Sequence, residues 1–204
     1  MSRDILKNAA TRPFVTIEDG RKVLRVGGVI QSISVEPSSS RDVWDAMLPD
    51  IQPASALILG LGGGTIAALM TQRWGPLPIT GVECDQSVVW LARHEFGLDN
   101  LSNVRIVVED AFTYVRKCEE RYDIICVDLY VAGKMAHGVL GGSFLRDVAR
   151  HLTPNGIAAF NLWRSPYLPD QLRRLARALD LRATIDADEN VIVHCGRREL
   201  PAVE

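Results

Sequence analysis

The stretch Ala56–Thr65, with the sequence ALILGLGGGT, constrains the fold more than any other part of this chain. It begins as a short apolar run and ends in four glycines, Gly60, Gly62, Gly63 and Gly64. This pattern predicts a buried strand that turns directly into a helix. Glycines in such a turn let a ligand approach the backbone closely, and the start of the helix offers free N–H groups. Open α/β folds hold nucleotides in this way, and a tight turn without a ligand is the alternative interpretation.

Composition places the chain among globular proteins and gives no reason to expect a polyanionic partner. Its 204 residues are 47% hydrophobic and 24% charged, with a net charge of −2, which fits one domain with a small appendage and no nucleic-acid partner. No apolar run approaches the ~20 residues of a membrane span. The first residues lack the apolar core of a signal peptide, so we expect a cytoplasmic protein without a membrane partner. The 4 cysteines and 4 histidines are dispersed, which predicts neither a disulfide framework nor a metal site.

Three β-prone segments precede the glycine stretch and predict a small antiparallel meander. They are Phe14–Ile17, Lys22–Val26 and Val29–Val35. Asp19-Gly20 and Gly27-Gly28 lie between them, and both pairs are typical of tight hairpin turns. We therefore divide the chain into an N-terminal meander, residues 1–37, and a main domain, residues 38–204. A short helix around Asp42–Leu48 is expected to connect them.

Strands and helices alternate from the glycine stretch onward. The predicted strands are Ile79–Glu83, Val104–Val108, Asp123–Asp128 and Ile157–Leu162, and the predicted helices are Ile66–Arg73, Gln86–Phe96, Ala111–Cys118, Ser143–Leu152 and Asp170–Leu179. Two closing strands, Leu181–Ile185 and Asn190–Cys195, are separated by a linker too short for a parallel crossover, so they should pair antiparallel. The prediction is an α/β, Rossmann-like fold with a mostly parallel seven-stranded sheet whose last strand is antiparallel. This order of elements resembles the class I S-adenosylmethionine-dependent methyltransferase fold.

Glycines or acids follow four successive predicted strands. Glu83 comes about twenty residues after the glycines, the spacing at which an acid reaches ribose hydroxyls in nucleotide-binding folds. A carboxylate suits this position because it accepts hydrogen bonds from two neighbouring hydroxyls. Asp110 and Asp128 follow the next two strands. Ligands of open α/β sheets bind beyond these strand ends, although polar residues are also ordinary where strands leave a core.

Several segments together resemble the spermidine synthase family. They are Val26–Val35, Leu57–Thr65, Gly81–Asp85, Glu109–Phe112, Tyr122–Asp128 and Leu152–Gly156. The resemblance implies that S-adenosylmethionine or its decarboxylated form is the donor. The residues it assigns to donor binding are Gln31, Gly60, Gly62, Gly64, Glu83, Asp110, Ala111 and Asp128. In that assignment Glu83 holds the ribose, Asp110 the adenine amino group, and Gln31 the donor near its sulfur-bearing chain. It also implies a homodimer formed through the meander.

The chain departs from the family where the family binds its amine. Gly63 stands in place of an aspartate, and the second aspartate of the D-x-x-D segment is Val131. The tyrosine-histidine-glutamate segment expected after the meander is replaced by the region Pro37–Arg41. A diamine is a dication with pKa values of about 10, and it needs carboxylates to bind it and to take a proton.

These departures favour methyl transfer to an unknown small acceptor. Aminopropyl transfer, and a non-catalytic nucleotide-binding or dimerising module, are the alternatives. We expect Asp128 and Tyr130 to orient the acceptor and receive its proton, unless Asp128 only holds the donor or the backbone. Trp163 is a candidate for the wall of the acceptor pocket, with core packing as the alternative. A nicotinamide-dependent oxidoreductase is disfavoured by Thr65 in the glycine motif and by the terminal hairpin.

Overall fold

The computed structural model describes residues 12–35, 43–131 and 133–198. In these ranges the chain forms a three-stranded sheet, a seven-stranded sheet with helices and a two-stranded hairpin. The predicted boundary between residues 37 and 38, the replaced segment Pro37–Arg41 and the start of the predicted helix at Asp42 lie outside the described residues. The rest of that predicted helix is one short 3-10 turn, Asp45–Met47.

The N-terminal sheet is the antiparallel meander that the sequence predicts. Its strands are β1 (Phe14–Glu18), β2 (Arg21–Val26) and β3 (Val29–Ile33), in that spatial order. Both turns contain backbone in the left-handed region. Asp19 and Gly20 have φ values of 48° and 79°, and Gly27 and Gly28 have values of 60° and 80°. Glycine adopts this conformation without steric cost, and aspartate does so more readily than most residues.

The main sheet has the predicted topology. Its strands are β4 (Ala56–Leu59), β5 (Ile79–Glu83), β6 (Val104–Val108), β7 (Tyr122–Val127), β10 (Leu152–Trp163), β11 (Leu179–Ala187) and β12 (Asn190–Arg197). They are ordered β11-β12-β10-β7-β4-β5-β6. Strands β4 to β7 and β10 pair in parallel, and β12 is antiparallel to both of its neighbours. The Rossmann-like class I methyltransferase fold is therefore confirmed.

Five helices connect these strands. They are α1 (Thr65–Trp74), α2 (Gln86–Phe96), α3 (Ala111–Lys117), α4 (Gly142–His151) and α5 (Leu168–Ala178). The Asp85 carboxylate accepts a hydrogen bond from the backbone N–H of Ser87 at 2.8 Å and so caps α2. Gly97 ends that helix with a φ of 68°. Both signals are local, and therefore both helix ends could be predicted from the sequence.

Two regions differ from the sequence-based expectation. The stretch between β7 and α4, to which the sequence assigns no strand or helix, contains a small hairpin of β8 (Tyr130–Val131) and β9 (Lys134–Met135). Strand β10 begins at Leu152 rather than at Ile157. Its pairing with β7 shifts register between these two residues. Pro154, which has no N–H to donate to a regular ladder, lies in this interval.

The meander shares one apolar core with the main domain. Val23 and Ile33 pack in the same buried cluster as Ile58 and Ile66. Thr65, at the start of α1, accepts a hydrogen bond from the backbone N–H of Ile33 at 3.0 Å and donates one to the Ile33 carbonyl at 2.8 Å. One hydroxyl thus pairs both backbone groups of a β3 residue. No helix in the described part of the chain is long and apolar enough to cross a membrane.

Replacing Thr65 by Val should lower the free energy of unfolding by about 2–4 kcal/mol, since both buried backbone groups of Ile33 lose their partner. Thr65→Ser, which keeps the hydroxyl, is the matched control and should lose much less. Urea unfolding of both variants checks this prediction. A Thr65→Val protein as stable as Thr65→Ser would contradict it.

Candidate functional site

Two cavities open beyond the carboxyl ends of the central strands and meet at Asp128. The first, which we call the donor cavity, has a volume of about 290 Å³. Its walls include seven of the eight residues predicted to bind the donor: Gln31, Gly60, Gly62, Glu83, Asp110, Ala111 and Asp128. Tyr130, the other predicted catalytic residue, also lines it. The structure thus brings together residues from five separate segments of the chain.

The eighth residue, Gly64, lies outside this lining. It precedes α1 with a φ of 88°, and a Cβ there would stand 2.7 Å from Leu98 Cδ1. Gly63 also lies outside the lining. A Cβ at Gly63 would stand 2.8 Å from the Cβ of Ser32, whose hydroxyl accepts the Gly63 N–H at 2.7 Å. Packing against Ser32 therefore gives a separate reason for a glycine at this position. The inference that Gly63 reports on amine recognition stays a prediction.

Gly60 fixes how closely strands β4 and β7 approach at their ends. Its φ is 90°, and a Cβ there would stand 2.2 Å from the carbonyl oxygen of Asp128. No side chain fits at this distance. The absence of a side chain therefore lets the backbone of Asp128 lie directly against the glycine turn, with its carboxylate at the edge of the donor cavity.

Glu83 is held by the loops on either side of it. One carboxylate oxygen accepts the N–H of Gly62 at 3.1 Å, and the other accepts the N–H of Asp85 at 3.0 Å. An ionised carboxylate has about four acceptor positions, so both oxygens can still accept a further hydrogen bond. This arrangement fits the predicted contact with two ribose hydroxyls.

Asp110 combines a structural role with its place in the cavity wall. Its Oδ1 accepts the backbone N–H of Thr113 at 2.9 Å and caps α3. Ala111 follows as the first residue of that helix. The proposed contact of Asp110 with the adenine amino group stays a prediction.

The donor cavity is strongly acidic. Its described lining contains five carboxylates, from Glu83, Asp85, Glu109, Asp110 and Asp128, and no lysine, arginine or histidine. Only Glu109 among them pairs with a lysine, Lys117, at 2.8 Å. A cavity lined by one sign of charge concentrates ligands of the opposite sign. The site therefore fits a cationic ligand better than an anionic one.

The second cavity, which we call the acceptor cavity, has a volume of about 410 Å³ and shares Gln31, Asp128 and Tyr130 with the donor cavity. Trp44 and Trp163 supply aromatic walls, and Arg21 also lies in the lining. That Trp163 contacts an acceptor stays a prediction. Asp188 and Glu189, in the turn between β11 and β12, also line the acceptor cavity. Sequence analysis missed Trp44 and these two acids. The only signal for the acids was the acidic turn itself, which is also ordinary for an exposed hairpin.

Two neutral donors hold the half-buried carboxylate of Asp128. Trp44 Nε1 donates to Oδ2 at 3.0 Å, and Asn161 Nδ2 donates to Oδ1 at 2.9 Å. Loss of contact with water raises the pKa of Asp128. These two hydrogen bonds work against that rise, and the negative charge of Glu83 adds to it. The result is a carboxylate of increased basicity between the two cavities.

Tyr130 is suited to orient a ligand rather than to accept a proton. Its hydroxyl donates to the carbonyl oxygen of Asn161 at 3.1 Å. Burial, and then the charge of Asp128, raise its pKa above the ordinary value, so the hydroxyl keeps its proton at neutral pH. Of the two residues predicted to receive the proton, only Asp128 therefore remains a candidate.

Comparison with known proteins identifies the family of the chain. Residues 9–172 match the model of the spermine/spermidine synthase domain. The fold is that of a class I methyltransferase-like α/β protein, with a cavity of about 290 Å³ at its strand ends. Because the family model covers most of the chain, the chain belongs to the spermine/spermidine synthase domain family.

The individual relatives match this chain at low sequence identity or over only part of its length. The chain is 33% identical over 108 residues to a probable polyamine aminopropyl transferase of Bifidobacterium longum, covering 53% of this chain and 24% of that protein. A probable spermidine synthase structure from Corynebacterium glutamicum is 18% identical, with a TM-score of 0.76 over 92% of this chain and 77% of that one. Human methyltransferase-like protein 13, solved with SAH, is 26% identical, with a TM-score of 0.62 over 74% of each chain. This chain spans 24% to 46% of the length of the first three curated relatives that it matches.

The close approach at Gly60 can be tested against a glycine without neighbours. Gly20 also has a positive φ, 79°, but a Cβ there would meet nothing within 4 Å. Gly20→Ala should therefore cost only the left-handed backbone, about 1–2 kcal/mol. Gly60→Ala should cost at least about 2 kcal/mol more, because β4 and β7 must separate. Equal losses in urea unfolding would contradict the steric account.

Proposed function

We propose that this protein is an aminopropyltransferase that binds decarboxylated S-adenosylmethionine in the donor cavity and transfers its aminopropyl group to a small amine in the acceptor cavity. One observation carries the proposal: an acidic donor cavity, without a basic residue in its described lining, meets at Asp128 an aromatic acceptor cavity that is lined by Asp188 and Glu189 as well as by Arg21. The proposal replaces the preference for methyl transfer that the missing family acids suggested.

The charge of the donor cavity favours the decarboxylated donor. S-adenosylmethionine carries a carboxylate beside its ammonium and sulfonium groups, whereas the decarboxylated form carries only the two cations. A buried carboxylate without a basic partner is costly. The close-packed backbone of Gly60 and Gly62 leaves room for a ligand but offers no cationic side chain.

The acceptor cavity supports an amine as the second substrate. Trp44, Trp163 and Tyr130 supply aromatic faces. Asp188 and Glu189 add two carboxylates to that of Asp128, against one cation, Arg21, in the described lining. Aromatic faces and carboxylates both attract ammonium groups. These acids lie far in the sequence from Val131, the position at which the family acid is lost. The names of curated relatives as polyamine aminopropyltransferases support the same substrate class.

The proposed reaction uses Asp128 as the base. Its carboxylate takes a proton from the acceptor ammonium, which leaves a neutral amine with a free electron pair. That nitrogen forms a bond to the carbon beside the sulfonium, the carbon–sulfur bond breaks, and its electron pair passes to sulfur. The chain contributes alignment of the two substrates and exclusion of water, and Tyr130 orients the amine.

The dispersed free thiols fit a reducing, cytoplasmic location.

Methyl transfer is the second candidate, because the chain also resembles a human methyltransferase-like protein solved with SAH. It would use the same donor cavity with a different donor. A homodimer through the meander stays a prediction from the family resemblance.

Donor binding should distinguish the two candidates. In calorimetry we expect decarboxylated S-adenosylmethionine to bind at least about tenfold more tightly than S-adenosylmethionine, from the charge argument above. Glu83→Gln should weaken binding by about 10- to 100-fold, because hydrogen bonds to an ionised group are lost. Glu109→Gln is the matched control, since that carboxylate already pairs with Lys117. Tighter binding of S-adenosylmethionine would contradict the proposal.

Turnover should depend on ionised Asp128. With decarboxylated S-adenosylmethionine and putrescine, Asp128→Asn should lower kcat by about 10²- to 10⁴-fold, the usual contribution of a positioned base. The pKa of Asp128 is raised, and only the ionised form accepts a proton. Activity should therefore fall as the pH is lowered through that raised pKa, and this acid limb should be absent from the residual rate of Asp128→Asn. A wild-type level of turnover in the variant would exclude Asp128 as the base.

A further inference from the structure

The Asp128 carboxylate is held from two directions by segments far apart in the sequence. Trp44 precedes the 3-10 turn Asp45–Met47, and Asn161 lies on β10. Each donates to a different oxygen of Asp128, at 3.0 Å and 2.9 Å. Both side chains are buried, with exposed fractions of 8% and 7%. A buried donor that loses its acceptor is costly, so these contacts tie the two segments to Asp128.

The chemistry of the two donors is fixed. An indole N–H can only donate, so Trp44 cannot exchange roles with its partner. The Asn161 amide has one donor end and one acceptor end. Asn190, on β12, donates its Nδ2 to Asn161 Oδ1 at 2.7 Å. This contact orients the amide so that its NH₂ group meets the carboxylate.

These contacts leave a defined acceptor capacity on the base. An ionised carboxylate accepts about four hydrogen bonds, and one position on each oxygen is occupied. Each oxygen therefore keeps a position for an N–H of the amine. Two fixed donors also restrict rotation of the carboxylate, which would otherwise need to be ordered when the substrate binds.

Few other described groups influence the ionisation of the Asp128 carboxylate. The charge of Glu83 faces it from the end of β5. Tyr130 and Cys126 are neutral neighbours whose own pKa values are raised first by burial and then by the charge of Asp128. Arg21, Asp188 and Glu189 line the acceptor cavity with it. Trp44 and Asn161 are the neutral groups that stabilise its ionised form directly.

We infer that Trp44 and Asn161 are positioning residues that clamp the Asp128 carboxylate between the two cavities, with Asn190 orienting the amide of Asn161. The role in catalysis rests on the proposed function, whereas the clamp itself can be measured without turnover. Neither Trp44 nor Asn161 lines the donor cavity. Substitutions of these two residues therefore test the ionisation of Asp128 separately from donor binding.

The test measures the ionisation of Asp128 by carbon-13 NMR of labelled aspartate, with Asp128→Asn to assign the signal. Trp44→Phe and Asn161→Leu each remove one donor and keep an apolar group of similar shape. Each should raise the pKa of Asp128 by about one pH unit or more. Trp163→Phe is the matched control. It trims a tryptophan of the same cavity that makes no hydrogen bond to Asp128 within the described residues, and the pKa should stay unchanged.

Kinetics then connect the clamp to the reaction. The acid limb of kcat/KM should move to higher pH in Trp44→Phe and Asn161→Leu by the shift that NMR measures. The Kd of decarboxylated S-adenosylmethionine should stay within about twofold, a change well below the loss of one hydrogen bond. Asn161→Leu keeps the test decisive if Trp44→Phe, which alters a larger core side chain, does not fold.

The outcomes separate the two proposals. An unchanged Asp128 pKa in folded Trp44→Phe and Asn161→Leu would overturn the clamp. The expected pKa shifts in a protein that binds the donor but transfers no group would support the clamp and contradict the proposed function. Equal shifts in Trp163→Phe would also overturn the clamp, because they would reflect general disturbance of the cavity.

Discussion

The close approach of Gly60 to the carbonyl oxygen of Asp128 is the contact on which both cavities depend. A Cβ at Gly60 would come within 2.2 Å of that oxygen, so the two strand ends meet only because the side chain is absent. The same turn presents the Gly62 N–H to Glu83. One constraint therefore places two carboxylates, from the strands on either side of β4, in the wall of one cavity. The glycine stretch serves this packing as much as it serves a ligand.

The charges that line the two cavities indicate which kind of ligand they fit. The donor cavity gathers carboxylates without a basic residue in its described lining, which is costly unless a cation binds there. The chain lacks acids at Gly63 and Val131, where the family resemblance leads us to expect them, but the β11–β12 turn brings Asp188 and Glu189 to the acceptor cavity. Loss of an acid at one position in the sequence therefore does not mean that the cavity lacks acids.

The sequence predicts the parts of this protein that depend on local patterns. The apolar run Ile124–Val127 indicates a buried parallel strand, Asp85 and Gly97 mark the ends of α2, and the short turn before Asn190 requires an antiparallel strand. The donor-cavity residues could be predicted because strand ends meet at one edge of a parallel sheet.

Contacts between distant segments could not be predicted in this way. Trp44 and Asp128 are 84 positions apart, and nothing in the local sequence of either residue indicates their hydrogen bond. The packing of Gly63 against Ser32 joins the meander to the glycine turn. It could not be predicted either, because nothing in the local sequence of the two residues indicates their contact. The hairpin of β8 and β9 was missed because its strands have two residues each, too few for a periodic pattern.

The identity of the transferred group tests the central claim most directly. The wild-type protein is incubated with equal concentrations of S-adenosylmethionine and decarboxylated S-adenosylmethionine and a set of small diamines, and the amines are identified by mass spectrometry. If the protein is an aminopropyltransferase, the products are amines that have gained an aminopropyl group, with release of methylthioadenosine. Asp128→Asn should form none of this product. Methylated amines, formed with release of S-adenosylhomocysteine, would contradict it.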